Sequence, residues 1–475
     1  MRRKGAVFLL IILFAALSCA VNPVTGKKEL SLISESQEIA LGKETDVQIR
    51  QQYGVYEDPQ LNAYVRSVGQ ALVPHTHRPH LPYQFAVLDT PVVNAFAVPG
   101  GFIYVTRGIL ALIGSEAELA VVLGHELGHV NARHSVHRMS EMMLAQVGLA
   151  IGSLLSDTFA KVAGLAGVGV QLLFLKYSRD DERQADSLGV EYARKGVYNP
   201  GEMIGFFGSL QKLGDLSGGH ALPGFLSTHP LTRERIEKVK QMLLADDQKL
   251  EVRERPYLSR IDGIIYGDDP RQGYVEGGRF YHPELAFTFA IPSGWKVVNT
   301  PAQVMMSSPD EKAALLLQAE KTDEDLPVYA RKKADQIQGS HFISDEDIQV
   351  PGLASVHFMY RVDQQQGQPI SLRLSAIRKG NLVYTFAALA GASDFPRFNP
   401  DFRRSAQSFS HLKDPAYLNR RPRQLKLVPA SGRQTLQEIF SSHGMNKDIW
   451  PTAAILNGME IGATPPEGQL IKVIR

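Results

Sequence analysis

The sequence predicts an α+β chain in three parts: a mostly helical first domain with a small sheet, an α+β second domain, and a small βααβ tail. Three observations carry this reading. Helical patterns at 34–52, 59–73, 118–138 and 178–196 surround only three strand patterns, at 83–88, 92–98 and 102–106. Further on, strand patterns dominate, at 285–291, 295–299, 313–319, 354–362, 371–378 and 382–388, with helical ones at 326–337 and 398–409. The tail then reads strand, helix, helix, strand at 424–428, 435–442, 451–456 and 470–474. A chain of 475 residues has room for two or three domains. The expected boundaries are 19–254, 280–411 and 424–475, joined by connectors at 255–279 and 412–423.

Arg2-Arg3-Lys4 precedes an apolar stretch, 6–17, that is short for a membrane span of about 20 residues and matches an export signal ending at residue 18. Cys19 is the single cysteine, so no disulfide can form within the chain. Ala15-Ala16-Leu17-Ser18-Cys19 resembles a relaxed bacterial lipobox, which implies lipidation at Cys19; the other reading is a plain signal with an incidental cysteine. Ala20 after the cysteine, by resemblance to Gram-negative lipoproteins, implies the outer membrane. The expected location is thus exported, periplasmic and held to the membrane by a lipid anchor only. A formal net charge of +2 gives no electrostatic case for nucleic acid.

Asn22-Pro23-Val24-Thr25-Gly26 reads as a turn-rich tether. Pro99-Gly100-Gly101 reads as the turn between two strands, and Gly380-Asn381 as a hairpin turn. The apolar stretches 142–155 and 162–175 fall short of a spanning helix and suit a cover over a cleft or a hairpin touching a membrane.

The chemistry centres on His125-Glu126-Leu127-Gly128-His129. On a helix, positions i and i+4 share a face, so both imidazoles can reach one metal ion, and Glu126 can take a proton from water activated there. Ser115 reads as the N-cap, with Glu118 completing a capping box. Catalytic zinc usually has three protein ligands. The metzincin pattern is excluded, because Ala132 and Ser135 stand where glycine and histidine are required. His134 and His137 follow at spacings that turn them away from the two ligands. A carboxylate from a later helix is the better third ligand. On the helix 178–196, capped by Ser178 and ended by Gly196, Glu182 is the best placed, and Asp186 at i+4 would orient a ligand. The competing reading of that pair is a solvated acidic face.

Asn94-Ala95-Phe96-Ala97-Val98-Pro99-Gly100-Gly101, then HELGHVNARH, then Ser178-Arg179 with Glu182, Ala185 and Asp186, resemble in this order the gluzincin zinc peptidase family of HtpX and the CAAX prenyl endopeptidases. The likeness spans roughly 20–250 and is greatest to the periplasmic BepA-like branch, in a lipoprotein form. It implies a zincin-type fold, one zinc ion held by His125, His129 and Glu182, and Glu126 as general base. It points also to Ser227-Thr228-His229-Pro230 and to Arg235-Ile236, which adds Asp186, His229 and Arg235 to the catalytic set and makes His229 a fourth ligand at rest. Taken alone, His229 before Pro230 is a turn histidine. Residues 280–411 look like the PsbP/Mog fold. The tail is similar to a peptidoglycan-binding LysM module, but has Arg433-Gln434 where that module usually has Gly-Asp, so a structural appendage is equally implied.

The expected function is a zinc-dependent metalloendopeptidase of the cell envelope that cleaves unfolded or misassembled proteins. Asn94, Ala95, Phe96 and Ala97 would offer a strand edge to extended substrate. The rivals are an assembly factor or chaperone for outer-membrane proteins with its proteolysis silenced, partnered with the assembly machinery, and a cell-wall-binding protein using the tail.

Overall fold

The computed structural model describes residues 19–151, 176–218, 224–364 and 367–475. The expected export signal lies outside them, as do 152–155 of the first apolar stretch and the whole of the second, 162–175. No helix among the described residues is long and apolar enough to cross a membrane. The architecture is mixed α+β, in two compact units: one within Met1–Arg50, Gly54–Gly267 and Arg423–Arg475, the other Gln51–Tyr53 with Asp268–Pro422.

In the first unit a three-stranded sheet runs Gln84–Leu88, Phe102–Thr106, Ala95–Val98, the first two parallel and the last antiparallel at the edge. The turn from Val98 to Phe102 uses Gly100 and Gly101, both at positive φ. Gly100 also touches the helix Glu35–Tyr53 so closely that an added Cβ would lie 2.7 Å from the Ile39 Cα. Behind the sheet packs the helix Glu116–Asn131, which carries the His-Glu-x-x-His motif and is buried nearly all round. Its N-cap is Ser115, whose Oγ accepts from Glu118 N–H at 3.1 Å. The Glu118 carboxylate reaches past Ser115 to the Gly114 N–H at 2.7 Å, so only half of the expected capping box forms.

The expected tether is an ordered hairpin. Cys19–Val21 pairs with Lys28–Leu30. Asn22 Oδ1 accepts from the N–H groups of Val24 and Thr25, while its amide donates to the Glu29 carboxylate and to Ala132 O. Sequence patterning did not single out the helices Glu202–Leu216 and Arg233–Met242, which complete the unit.

The tail keeps its strand–helix–helix–strand order, with Leu425–Pro429 antiparallel to Leu470–Ile474 around the helices Leu436–Ser442 and Trp450–Leu456. It is packed into the first unit. Leu436, Phe440, Ile471 and Val473 share one core with Leu119, Val122 and Leu123 of the motif helix. Lys472 is buried there, and its Nζ donates to the carbonyls of Ala111, Leu112 and Ile113 at 2.9, 3.2 and 2.6 Å. These close the C-terminal end of the helix Arg107–Leu112, where cations are favoured.

The second unit is built on a seven-stranded antiparallel sheet in the order Ser340–Asp345, Ser355–Val362, Ile370–Lys379, Leu382–Gly391, Ala313–Lys321, Gln303–Ser307, Lys296–Thr300. Lys379 pairs with Leu382 across the Gly380-Asn381 turn. The helices Leu326–Asp335 and Phe395–Gln407 pack on separate apolar clusters.

Glu118 generates a test of the first unit. Burial pushes its carboxyl up, to about 7, against the Gly114 hydrogen bond and the charge of Lys472. Its ordinary value is 4.5. Across that window the folded chain keeps a proton that the unfolded chain releases, so stability falls as pH rises. Relative to wild type, Glu118→Gln is expected to gain a few degrees of melting temperature between pH 4.5 and 7. A difference that stays flat across the window would contradict this burial.

Candidate metal centre

The site is assembled by two helices that touch through their backbones. The motif helix meets the helix Arg179–Lys195, capped by Ser178 and Asp181 in a complete box. An added Cβ on Gly124 would sit 3.1 Å from Gly189 O, and one on Gly128 would sit 3.1 Å from the Ala185 Cα. This approach brings His125 and His129 against Glu182 and Asp186.

His125, His129, Glu182 and His229 each offer a ligand atom, all within 4.8 Å of one another, and together they can hold one metal ion. His125 Nε2 lies 3.0 Å from His129 Nε2 and 3.3 Å from His229 Nδ1. Glu182 Oε1 is 2.8 Å from His229 Nδ1 and 3.6 Å from His129 Nε2, and Glu182 Oε2 is 3.7 Å from His125 Nε2. All four residues are at most 2% exposed. Three imidazoles and a carboxylate aimed at one closed point satisfy one another poorly. A soft-to-borderline divalent cation fits that donor set, and zinc suits its mixed nitrogen and oxygen character.

The next shell fixes the ligands. Asp186 Oδ1 sits 3.0 Å from His125 Nδ1. Arg235 donates from Nε and Nη2 to the two Asp186 oxygens at 2.7 Å each, and its Nη1 lies 2.7 Å from Glu182 Oε2. Burial works against the Asp186 charge, but Arg235 and His125 hold the carboxyl below its usual range. Burial raises Glu182 likewise, and His229, His125 and Arg235 more than reverse it. Burial lowers His229, yet the carboxylates of Glu182 and Glu126 lift it above its ordinary value. His129 is driven well down, first by burial and then by the neighbouring histidines.

Glu126 is the exception. Neither of its buried carboxylate oxygens has a partner at full hydrogen-bond geometry among the described residues, and burial pushes its carboxyl up against the pull of His229 and His125 and a weaker one from the Ala97 backbone N–H. Its Oε1 lies 3.7 Å from His229 Nε2.

His229 follows the short helix Phe225–Thr228 and enters the cluster directly. Phe225 stacks on it at 4.5 Å and donates its N–H to Val93 O, next to the edge strand. Ala95–Val98 is therefore an edge strand with buried side chains, and Asn94 precedes it half-buried.

One expectation is corrected. His134 does not turn away from the ligands: its Nδ1 is 2.9 Å from His129 Nδ1. The motif helix stops at Asn131, and Arg133 takes a left-handed φ of 59°, so helical spacing cannot be carried past that turn. His137 does point outward, pairing with Glu141 at 3.2 Å. A second residue went unnoticed in the sequence: Tyr177 stacks on His129 at 3.9 Å.

Two histidines of the motif helix, a glutamate of the helix Arg179–Lys195 and the Glu126 carboxylate close by make a centre fit for one metal ion and a general base. Residues 58–243 match the model of Peptidase family M48. The chain is 31% identical over 228 residues to the beta-barrel assembly-enhancing protease of Yersinia pestis, covering 46% of each chain. It is 29% identical over 229 residues to the mitochondrial metalloendopeptidase OMA1 of Arabidopsis thaliana, covering 48% of this chain and 45% of that one. The chain thus spans about half the length of these relatives. A cyanobacterial PsbP of Synechocystis is 17% identical over 29% of this chain and 98% of its own, with a TM-score of 0.24, too low to support an argument about the second unit.

The ligand geometry separates two acidic residues of one helix. Glu182→Ala is expected to lose zinc as completely as His125→Ala. Glu191→Ala should keep it, because nine residues at 1.5 Å each set Glu191 about 13.5 Å along the axis. Metal analysis of the three purified variants decides, and zinc retained without Glu182 would remove it from the ligand set.

Proposed function

We propose that this chain is a zinc-dependent endopeptidase of the bacterial cell envelope that cleaves unfolded or misassembled proteins. The observation that carries the reading is the buried Glu126 carboxylate, without a partner at full hydrogen-bond geometry, beside four converging donors. His125, His129 and Glu182 would hold the zinc, which when bound supplies Lewis acidity to polarise a carbonyl and acidify water. Glu126, made more basic by burial, takes the proton of the attacking water and hands it to the leaving amine nitrogen. Asp186, clamped by Arg235, holds His125 in the tautomer that leaves Nε2 free. The edge at Asn94, Ala95, Phe96 and Ala97 would take an extended peptide through main-chain hydrogen bonds, which favours unfolded segments.

His229 closes this site at rest. With zinc held by the other three donors it would take the fourth ligand position, and the Phe225–Val93 hydrogen bond ties its segment to the chain just before the edge strand. That closure also supports a silenced state, in which the protein works as an assembly factor. The name of the Yersinia relative, a beta-barrel assembly-enhancing protease, supports β-barrel assembly as the setting, and with it the outer-membrane reading. The signal-like N-terminus and Cys19 support a periplasmic protein lipidated for the outer membrane. The PsbP/Mog-like reading of the second unit rests on sequence resemblance. The LysM-like tail, sharing the peptidase core, is better suited to bracing that core than to binding glycan.

Glu126→Gln should bind one zinc yet cleave an unfolded protein at least about a thousandfold more slowly. Full activity in that variant, chelator-sensitive as in wild type, would remove Glu126 from its role. His229→Ala should bind zinc a few-fold less tightly and cleave faster. Slower cleavage at full zinc occupancy would instead make His229 a stabiliser of the tetrahedral intermediate.

A further inference from the structure

The two motif histidines are held from behind by different chemistry. His125 Nδ1 faces the Asp186 carboxylate, whose two oxygens are both taken by Arg235. His129 has no carboxylate behind it. Its Nδ1 faces another imidazole, His134, at 2.9 Å, with the two rings edge to face at 73°. His134 is 4% exposed, and its far nitrogen, Nε2, lies 3.0 Å from Gln184 Oε1 and 3.7 Å from Asp181 Oδ1, both on the opposing helix.

These contacts settle where the protons sit. His129 turns Nε2 towards the donor cluster, 3.0 Å from His125 Nε2 and 3.6 Å from Glu182 Oε1. A neutral imidazole that gives its Nε2 lone pair to a metal carries its proton on Nδ1. Two Nδ1 atoms at 2.9 Å can share only one proton, so His134 must accept there. It then carries its own proton on Nε2 and donates it to Gln184 Oε1. The turn that makes this possible is fixed in turn. Arg133, at its positive φ, donates to Glu38 Oε2 at 3.0 Å and to Ile33 O at 2.8 Å, which starts the helix His134–Ile151 with its first side chain under His129.

We propose that His134 is a positioning residue for the metal centre: the chain Gln184–His134–His129 locks His129 as the tautomer that presents Nε2. The proposal rests on the zinc reading above. A neutral acceptor fixes that tautomer and keeps the nearest carboxylate on that side, Asp181, one ring further from His129. A bound metal would be left more electron-poor than with a carboxylate directly behind this ligand.

Three variants test this, with zinc affinity read by chelator competition. His134→Phe keeps the ring but removes the acceptor. It is expected to weaken zinc binding by roughly tenfold to a hundredfold, with the melting temperature of the metal-free protein near that of wild type. His134→Asn places Oδ1 as many bonds from Cα as Nδ1 stands in histidine, and should recover affinity to within about threefold of wild type. Nitrogen NMR of the zinc-loaded, histidine-labelled protein should show a protonated Nδ1 on His129 in wild type and in His134→Asn, and lose that slowly exchanging proton in His134→Phe. If His134→Phe fails to fold, Gln184→Leu replaces it, with an expected loss of several-fold in affinity and mixed tautomers at His134. Wild-type affinity together with an unchanged His129 proton in whichever of these two variants folds overturns the positioning role alone. A wild-type protein that takes up no zinc overturns the metallopeptidase reading, and this inference with it.

Discussion

The metal centre depends on how closely two helix backbones approach. Gly124 and Gly128 on one helix meet Ala185 and Gly189 on the other, and an added Cβ on either motif-helix glycine would come within 3.1 Å of the opposing backbone. Side chains of ordinary size hold packed helix axes about 8–10 Å apart. With larger residues at this seam Glu182 would withdraw from the two histidines, because a glutamate side chain cannot extend to recover the gap. His125, His129 and Glu182 converge because the seam between their helices is nearly bare.

So tight a seam has to be braced from outside, and buried polar networks do this at both ends of the motif helix. At its start, Glu116 accepts from the hydroxyls of Tyr64 and Tyr198 and from Arg253. At its end, Arg78 donates to Val130 O and to Glu38, and Glu38 also accepts from Arg133 and from the Gly100 N–H in the turn before the second sheet hairpin strand. Each charge in these networks is answered by partners of good geometry, without which its burial would cost several kcal/mol. The tail adds a third brace, since its core residues and Lys472 lie against elements that flank the motif helix.

Much of the centre could be read from the sequence. His125, Glu126 and His129 declare themselves by i, i+4 spacing in a capped apolar helix, and Glu182 by its place on a second capped helix. Arg235 carried no signal in its own residues and came from family resemblance alone, because it acts across a turn from a helix that patterning did not reveal. His134 was misread because one residue at positive φ, Arg133, reverses the chain inside what looks like continuous helical spacing. The tail was read as a separate module because its four elements complete a familiar pattern. Local patterning does not tell which apolar face a strand or helix will bury against, and here Ile471 and Val473 bury against the first unit. In the second unit, the edge strand Ser340–Asp345 escaped notice because a bulge between Phe342 and Ser344 leaves Phe342 and Ile343 both exposed and breaks the alternation.

The small hairpin that opens the described chain has a mechanical meaning. Cys19 is paired directly with Leu30, and three residues later the Asn22 amide is bonded to Ala132 O, at the very end of the motif helix. There is no slack between that cysteine and the catalytic scaffold. An anchor at Cys19, as proposed above, would therefore hold the metal centre at a short, fixed stand-off. Substrate would then have to come to the cleft, because the cleft could not swing out on a leash to find it.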